Sequence, residues 1–296
     1  MTQTNDIWVV TDSNSGITAE EAKKLDIGLV SMPFTIDGKE YFENESLKRE
    51  DFFKSLKEDK TVSTSQPPVG QLIKLFEEGL KQHESIVYIP MSSALSGSCM
   101  TAQCLSTAFA KKVQTVDNLR ISCTQKQSVL EAINLARNGY SAEGIKKILE
   151  DHKKDASIYM TVENTKYLKN GGRSNETVEA AVSGLSLKPV LQIQGEKIDY
   201  FCRARGLKSA QKKMLEAVSH DMTHRFFGKD VIIKCAFAEE NEESEKWLTA
   251  LQEYFPAHLI KSELLPLSVC CHTGPSAFAA ACMKKLPEAP FFKYEI

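Results

Sequence analysis

The sequence predicts an α/β protein of two domains, the first built on a parallel sheet and the second on a mixed one. Three observations carry this. Its 296 residues exceed one ordinary hydrophobic core, since domains commonly hold ~100 to 200 residues. Short apolar runs alternate with segments of helical period through the first half, the order that βαβ units produce. Beyond the charged stretch 151–155 the pattern gains Gln194-Gly195-Glu196 between two apolar runs, a hairpin signal absent from the first half. The boundary is placed at 154, giving domains of 1–154 and 155–296.

Residues 7–11 form the first strand, ending in Thr11-Asp12-Ser13. A helix over 17–25 follows, opened by Thr18 with Glu21 three residues on, the capping-box spacing. Residues 29–36 read as the second strand and 49–57 as a helix. Apolar residues at 69, 72, 73, 76 and 80 make a helical stripe. A strand over 85–89, a helix over 98–110 and a strand over 113–116 come next, then helices over 127–136 and 142–150. In the second half, strands are expected at 157–160, 189–193, 197–201, 231–237 and 258–265, with covering helices.

Composition excludes several classes. Hydrophobic residues are 42% and charged residues 26%, which is ordinary globular usage. Thirty-seven Lys and Arg against 39 Asp and Glu give a net charge of −2, so no bulk field would hold nucleic acid. No apolar run reaches the ~18 residues that a membrane span requires, and no secretory signal is recognisable. The eight cysteines include no CxxC pair and read as reduced, mostly buried thiols of a cytoplasmic protein. Neither a cofactor nor a metal is expected. Gly139 and Gly144 are spaced like a P-loop, but Lys146 does not directly follow the second glycine. His220 and His224 lie at i and i+4 without the Glu that a metalloprotease base requires. GxGxxG and GxSxG are absent.

The most informative stretch is Ser92-Ser93-Ala94-Leu95-Ser96-Gly97, where a strand ends and a helix begins. Such a turn lies at the carboxyl edge of a parallel sheet, where the helix N-terminus favours a small anion. Ser96 alone would serve as a cap, and four hydroxyls with one glycine exceed that need. Ser63-Thr64-Ser65-Gln66-Pro67-Pro68 is a second hydroxyl loop ahead of a helix, and the two could converge on one oxyanion. Asp12 is a third candidate at a strand end. In the second half, Tyr167 to Arg173 ends a short helix in Gly171-Gly172, a C-cap signal, and then offers Arg173. Residues 269–276 are expected to bring a strand into a helix through His272-Thr273-Gly274-Pro275.

Taken in order, Thr11-Asp12-Ser13, Thr64-Ser65-Gln66-Pro67, Ser92 to Gly97, Tyr167 to Arg173, Leu187-Lys188-Pro189 and His272-Thr273-Gly274-Pro275 resemble the DegV family over residues 7–284. That resemblance implies a bacterial fatty-acid-binding protein with a Rossmann-like first domain and a mixed-sheet second domain that forms much of an acyl-chain tunnel. It implies a monomer without enzymatic activity that presents a long-chain fatty acid to a separate fatty acid kinase, which makes the acyl phosphate. By the same resemblance Thr64 and Ser93 hold the carboxylate, and Arg173 and His272 flank it; Ser96, in the same turn as Ser93, is a further candidate ligand of the carboxylate. The chain departs from the family at Asp117-Asn118 and Ser122 to Gln125, where a glycine-containing loop is usual, and at Ser276, where the family has Gly.

Arg203 and Arg205 are spaced i, i+2 on one face of an extended segment. They are either solvated strand charges or a docking point for the kinase. The alternative from another class is a serine hydrolase of acyl or phosphate esters, with Ser93 as nucleophile, His272 as base and Asp12 as the orienting acid.

Overall fold

The computed structural model describes residues 6–163, 165–172, 178, 187–195 and 197–289. It divides into two compact units, each assembled from separate stretches of chain. One takes Met1–Lys48, Thr64–Lys154 and Leu286–Ile296, and the other takes Arg49–Ser63 and Asp155–Lys285. The chain therefore passes between units after Lys48, Ser63, Lys154 and Lys285, where the sequence reading places a single boundary at 154.

In the first unit the chain runs β1 (Ile7–Asp12), α1 (Ala19–Leu25), β2 (Gly28–Val30), β3 (Pro33–Ile36) and β4 (Lys39–Phe42). After α2 (Arg49–Lys57) in the second unit and β5 (Val62–Thr64), it continues with α3 (Val69–Gly79), β6 (Ser85–Ile89) and α4 (Ser98–Ser106). β7 (Val113–Thr115), α5 (Ser122–Arg137) and α6 (Ala142–Asp151) complete it. The sheet is parallel throughout, in the order β2-β1-β6-β7. Alternate residues of β1 and β6 serve opposite faces. Val9, Val87 and Ile89 pack with Ala22, Ile133 and Leu149, whereas Val10, Ile86 and Tyr88 pack with Leu72, Phe76 and Ala102. Both faces are covered, which is why these strands read as unbroken apolar runs. Thr18 forms the capping box, accepting from Glu21 N while Glu21 accepts from Thr18 N.

One expectation fails here. Residues 29–36 are two strands, and β3 pairs antiparallel with β4 through Asp37 and Gly38, with φ 48° and 81°. Left-handed angles at both turn residues define the I′ hairpin turn that Asp-Gly favours, so the first half does contain a hairpin signal.

The second unit is built on a mixed sheet of β8 (Ala156–Thr161), β9 (Leu187–Ile193), β10 (Asp199–Arg205), β11 (Val231–Phe237), β12 (Ser262–Leu264) and β13 (Phe278–Lys284). Its order is β10-β9-β8-β13-β11-β12, antiparallel except for β11 with β12. The helices are α7 (Lys166–Asn170), α8 (Gly206–Thr223), α9 (Glu242–Tyr254) and α10 (Leu267–Thr273). Met214 and Val218 of α8 and Trp247 and Leu251 of α9 close a core with Ile233, Cys235 and Ala280 of the sheet. Among the described residues no helix is long and apolar enough to cross a membrane.

The strand expected at 258–265 shrinks to Ser262–Leu264. His272 is also reassigned. It lies in the last turn of α10, and Gly274-Pro275 leads out of that helix into β13. The segment is a helix C-terminus, with the opposite dipole sign to the N-terminus expected.

Candidate functional site

β1 and β6 are neighbours, with Thr11 opposite Ile89, so their carboxyl ends emerge side by side, the edge where parallel sheets bind ligands. Asp12 ends β1 and is wholly buried. Its Oδ1 accepts from Asn14 N at 3.1 Å and Gln125 Nε2 at 2.9 Å, and its Oδ2 accepts from Met91 N at 3.0 Å. Gln125 Nε2 also reaches Thr11 Oγ1 and the Ile89 carbonyl, each at 3.1 Å. Burial raises the Asp12 carboxyl pKa against the pull of these donors. Burial also pushes the Cys99 thiol up to about 12, with Asp117 adding to it. An inert thiol results, since the thiolate is the reactive form.

The turn after β6 carries the hydroxyls. Ser92 Oγ accepts from Ala94 N and Ser96 Oγ from Ser98 N, both at 3.2 Å. These are local turn and capping bonds, and a hydroxyl that accepts in this way still has its own proton to donate. Ser93 is half-buried, and its backbone N–H donates to Asp117 Oδ1 at 3.2 Å. Thr64 closes β5, and Thr101 Oγ1 of α4 donates to Gln66 Oε1 at 3.0 Å. That bond ties the 64–68 loop to α4, the helix that follows Ser92–Gly97.

The second unit holds the remaining predicted residues apart from Arg173, which lies outside the described residues. His272 packs against α7 because Gly171 has no side chain: a Cβ there would sit 1.9 Å from His272 Nδ1. A Cβ on Gly274 would likewise sit 2.5 Å from the Tyr167 ring. The two motifs Tyr167 to Gly172 and His272 to Pro275 are thus one packed pair. Gly172, with φ 66°, supplies the left-handed stop expected after a helix, and Gly171, in a right-handed conformation, is needed for space instead. Ser276 Oγ donates to Glu163 Oε2 at 3.1 Å. Both line a cleft of about 360 Å³ that also presents Glu239, Glu242 and Glu243 against Lys188. Such a lining repels a fatty acid head group. Arg203 and Arg205 lie within β10, both exposed, with buried Ala204 between them. His220 and His224 stack at 4.1 Å, and among the described residues no group of three metal-binding side chains forms.

Sequence reasoning passed over two residues that organise this edge, Asp117 and Gln125. Gln125 is a wholly buried polar side chain on α5, and a polar residue within a helix whose neighbours face the core was the available sign.

The family model for DegV proteins, described as "Uncharacterised protein, DegV family", matches residues 6–285. The chain belongs to the DegV family. A DegV domain-containing protein of Clostridium perfringens is 28% identical over 279 residues, covering 92% of this chain and 95% of its own. One from Listeria innocua is 30% identical over 253 residues, covering 84% and 88%. Among solved DegV structures, a fatty acid binding protein from Bacillus subtilis is 26% identical with a TM-score of 0.83, covering 95% of this chain and 100% of that one. A fatty-acid-binding DegV protein from Thermus thermophilus shares the fold at 24% identity and a TM-score of 0.84, with the same coverage.

Proposed function

We propose that the protein binds a long-chain fatty acid, donates hydroxyls of Thr64, Ser93 and Ser96 to its carboxylate, and presents it to a separate fatty acid kinase. It acts in the cytoplasm as a monomeric binding subunit, and the kinase performs the phosphoryl transfer. The observation that supports the reading is the Gln66–Thr101 bond, which ties the 64–68 loop to α4, the helix that follows Ser92–Gly97. The Bacillus subtilis relative, a fatty acid binding protein, supports the ligand class. All eight cysteines are free thiols, in keeping with a reducing compartment.

Affinity comes from the tail and orientation from the hydroxyls. At ~0.8 kcal/mol per buried methylene, about fourteen methylenes contribute roughly 11 kcal/mol gross, against ~1.5 to 3 kcal/mol for a hydrogen bond to a charged group. Ser93→Ala is therefore expected to weaken binding by roughly 10- to 100-fold without abolishing it. Native mass spectrometry of delipidated protein mixed with C14 to C18 acids tests the reading, and failure to form a one-to-one complex refutes it.

The hydrolase alternative loses ground because Asp12 is fully buried and already holds three N–H donors of its own unit. A fluorophosphonate probe should leave Ser93 unlabelled; stoichiometric labelling would restore the hydrolase. Kinase docking through β10 predicts that Arg203→Glu with Arg205→Glu preserves fatty acid binding and lowers acyl phosphate formation by the cognate kinase. Unchanged turnover would remove the docking role.

A further inference from the structure

Three consecutive backbone N–H groups open the turn after β6, and each is already taken. Met91 N donates to Asp12 Oδ2 at 3.0 Å, Ser92 N to the Arg120 carbonyl at 2.9 Å, and Ser93 N to Asp117 Oδ1 at 3.2 Å. Successive amides at such a turn otherwise make a cradle for an oxyanion. Here protein oxygens, two of them from carboxylates, fill that role, so an anion meets hydroxyls instead. Asp117 is braced in turn: its own N–H donates to Glu150 Oε1 at 3.0 Å, and Lys146 pairs with Glu150 at 2.9 Å.

We infer that Asp117 is a positioning residue for Ser93 and sets the head-group selectivity of the site, an inference that rests on the fatty acid reading above. Its grip on the Ser93 N–H fixes the backbone from which the Ser93 hydroxyl projects. A carboxylate needs that hydroxyl aimed at it, because a hydrogen bond weakens steeply off line. The acyl tail does not, since burial is non-directional. Displacing Ser93 is therefore felt by an acid and hardly by an alcohol of the same length.

Calorimetric titration of hexadecanoic acid and 1-hexadecanol into wild type, Asp117→Ala and Asp117→Asn tests this. Asp117→Ala is expected to weaken the acid by ~10-fold and the alcohol by less than about 2-fold. Asp117→Asn keeps an oxygen for the Ser93 N–H and should stay within about 3-fold of wild type for both. Equal weakening of both ligands, or no change for the acid, overturns the inference. Wild type that binds neither ligand overturns the fatty acid reading and the inference with it, and that result is visible before any variant is made. If Asp117→Ala does not fold, Asp117→Ser, too short to reach the Ser93 N–H, carries the same comparison.

Discussion

Gly171 and Gly38 are held by unlike constraints. A Cβ at Gly171 collides with the His272 ring at 1.9 Å, whereas at Gly38 it meets nothing within 4 Å and only the φ of 81° resists it. Gly171→Ala should cost ~1 to 3 kcal/mol through overpacking, and most of that loss should vanish in a His272→Ala background. Gly38→Ala should cost ~1 to 2 kcal/mol through backbone strain and stay unaffected by His272→Ala. Melting curves of the two glycine variants, each with and without His272→Ala, and of His272→Ala alone decide between space and backbone. Asp12 gives a prediction in pH. Burial raises its folded carboxyl pKa above the ordinary 3.8, so its protonated form is favoured on folding. Such a group contributes stability below the unfolded value and loses it as pH climbs through the folded one. The advantage of wild type over Asp12→Asn in unfolding free energy should therefore shrink as pH rises from about 4; a gap that widens contradicts the assignment.

At the scale of elements, the entry into α5 is strained, with Leu119 at φ 56° in the loop after β7 and Ser122, the first residue of the helix, at φ 55°. A left-handed residue with a side chain costs ~1 to 2 kcal/mol. Ser122→Gly should be neutral or stabilise by up to ~1 kcal/mol after its entropy in the unfolded chain is counted. Ser122→Val, β-branched and buried, should destabilise by at least ~2 kcal/mol, as urea titration would show. Local signals were legible wherever they stood alone: β6, α2 and the Thr18 cap follow from spacing. The apolar pattern of residues 29–36 runs across the break and so predicts one strand, although Asp37-Gly38 marks the turn. Val269 to Cys271 reads as a strand since a short apolar run carries no period long enough to tell helix from strand. Pro266 before it and Gly274 after it were the discriminating signs. Of the candidate site, the hydroxyls were legible because they are contiguous. Asp117 and Gln125 were not, since their partners Ser93 and Asp12 are distant in sequence.

At the scale of the molecule, the first unit borrows its last pieces from the far end of the chain. Leu286 and Ala289 are buried with Val9, Ile133 and Leu149. Leu286→Ala should cost ~2 to 4 kcal/mol. It should raise hydrogen exchange in β1 and β6 while leaving β11 and β13 protected, and uniform loss of protection in both sheets would contradict the division into units. The same arrangement bears on synthesis. Domains commonly fold in turn as they leave the ribosome, but here α2 emerges long before the sheet of its own unit, and the first sheet waits for Leu286. Neither unit has all its pieces until Lys285 and Leu286 have been added, so while residues 155–285 are being made the nascent chain carries two unfinished cores at once.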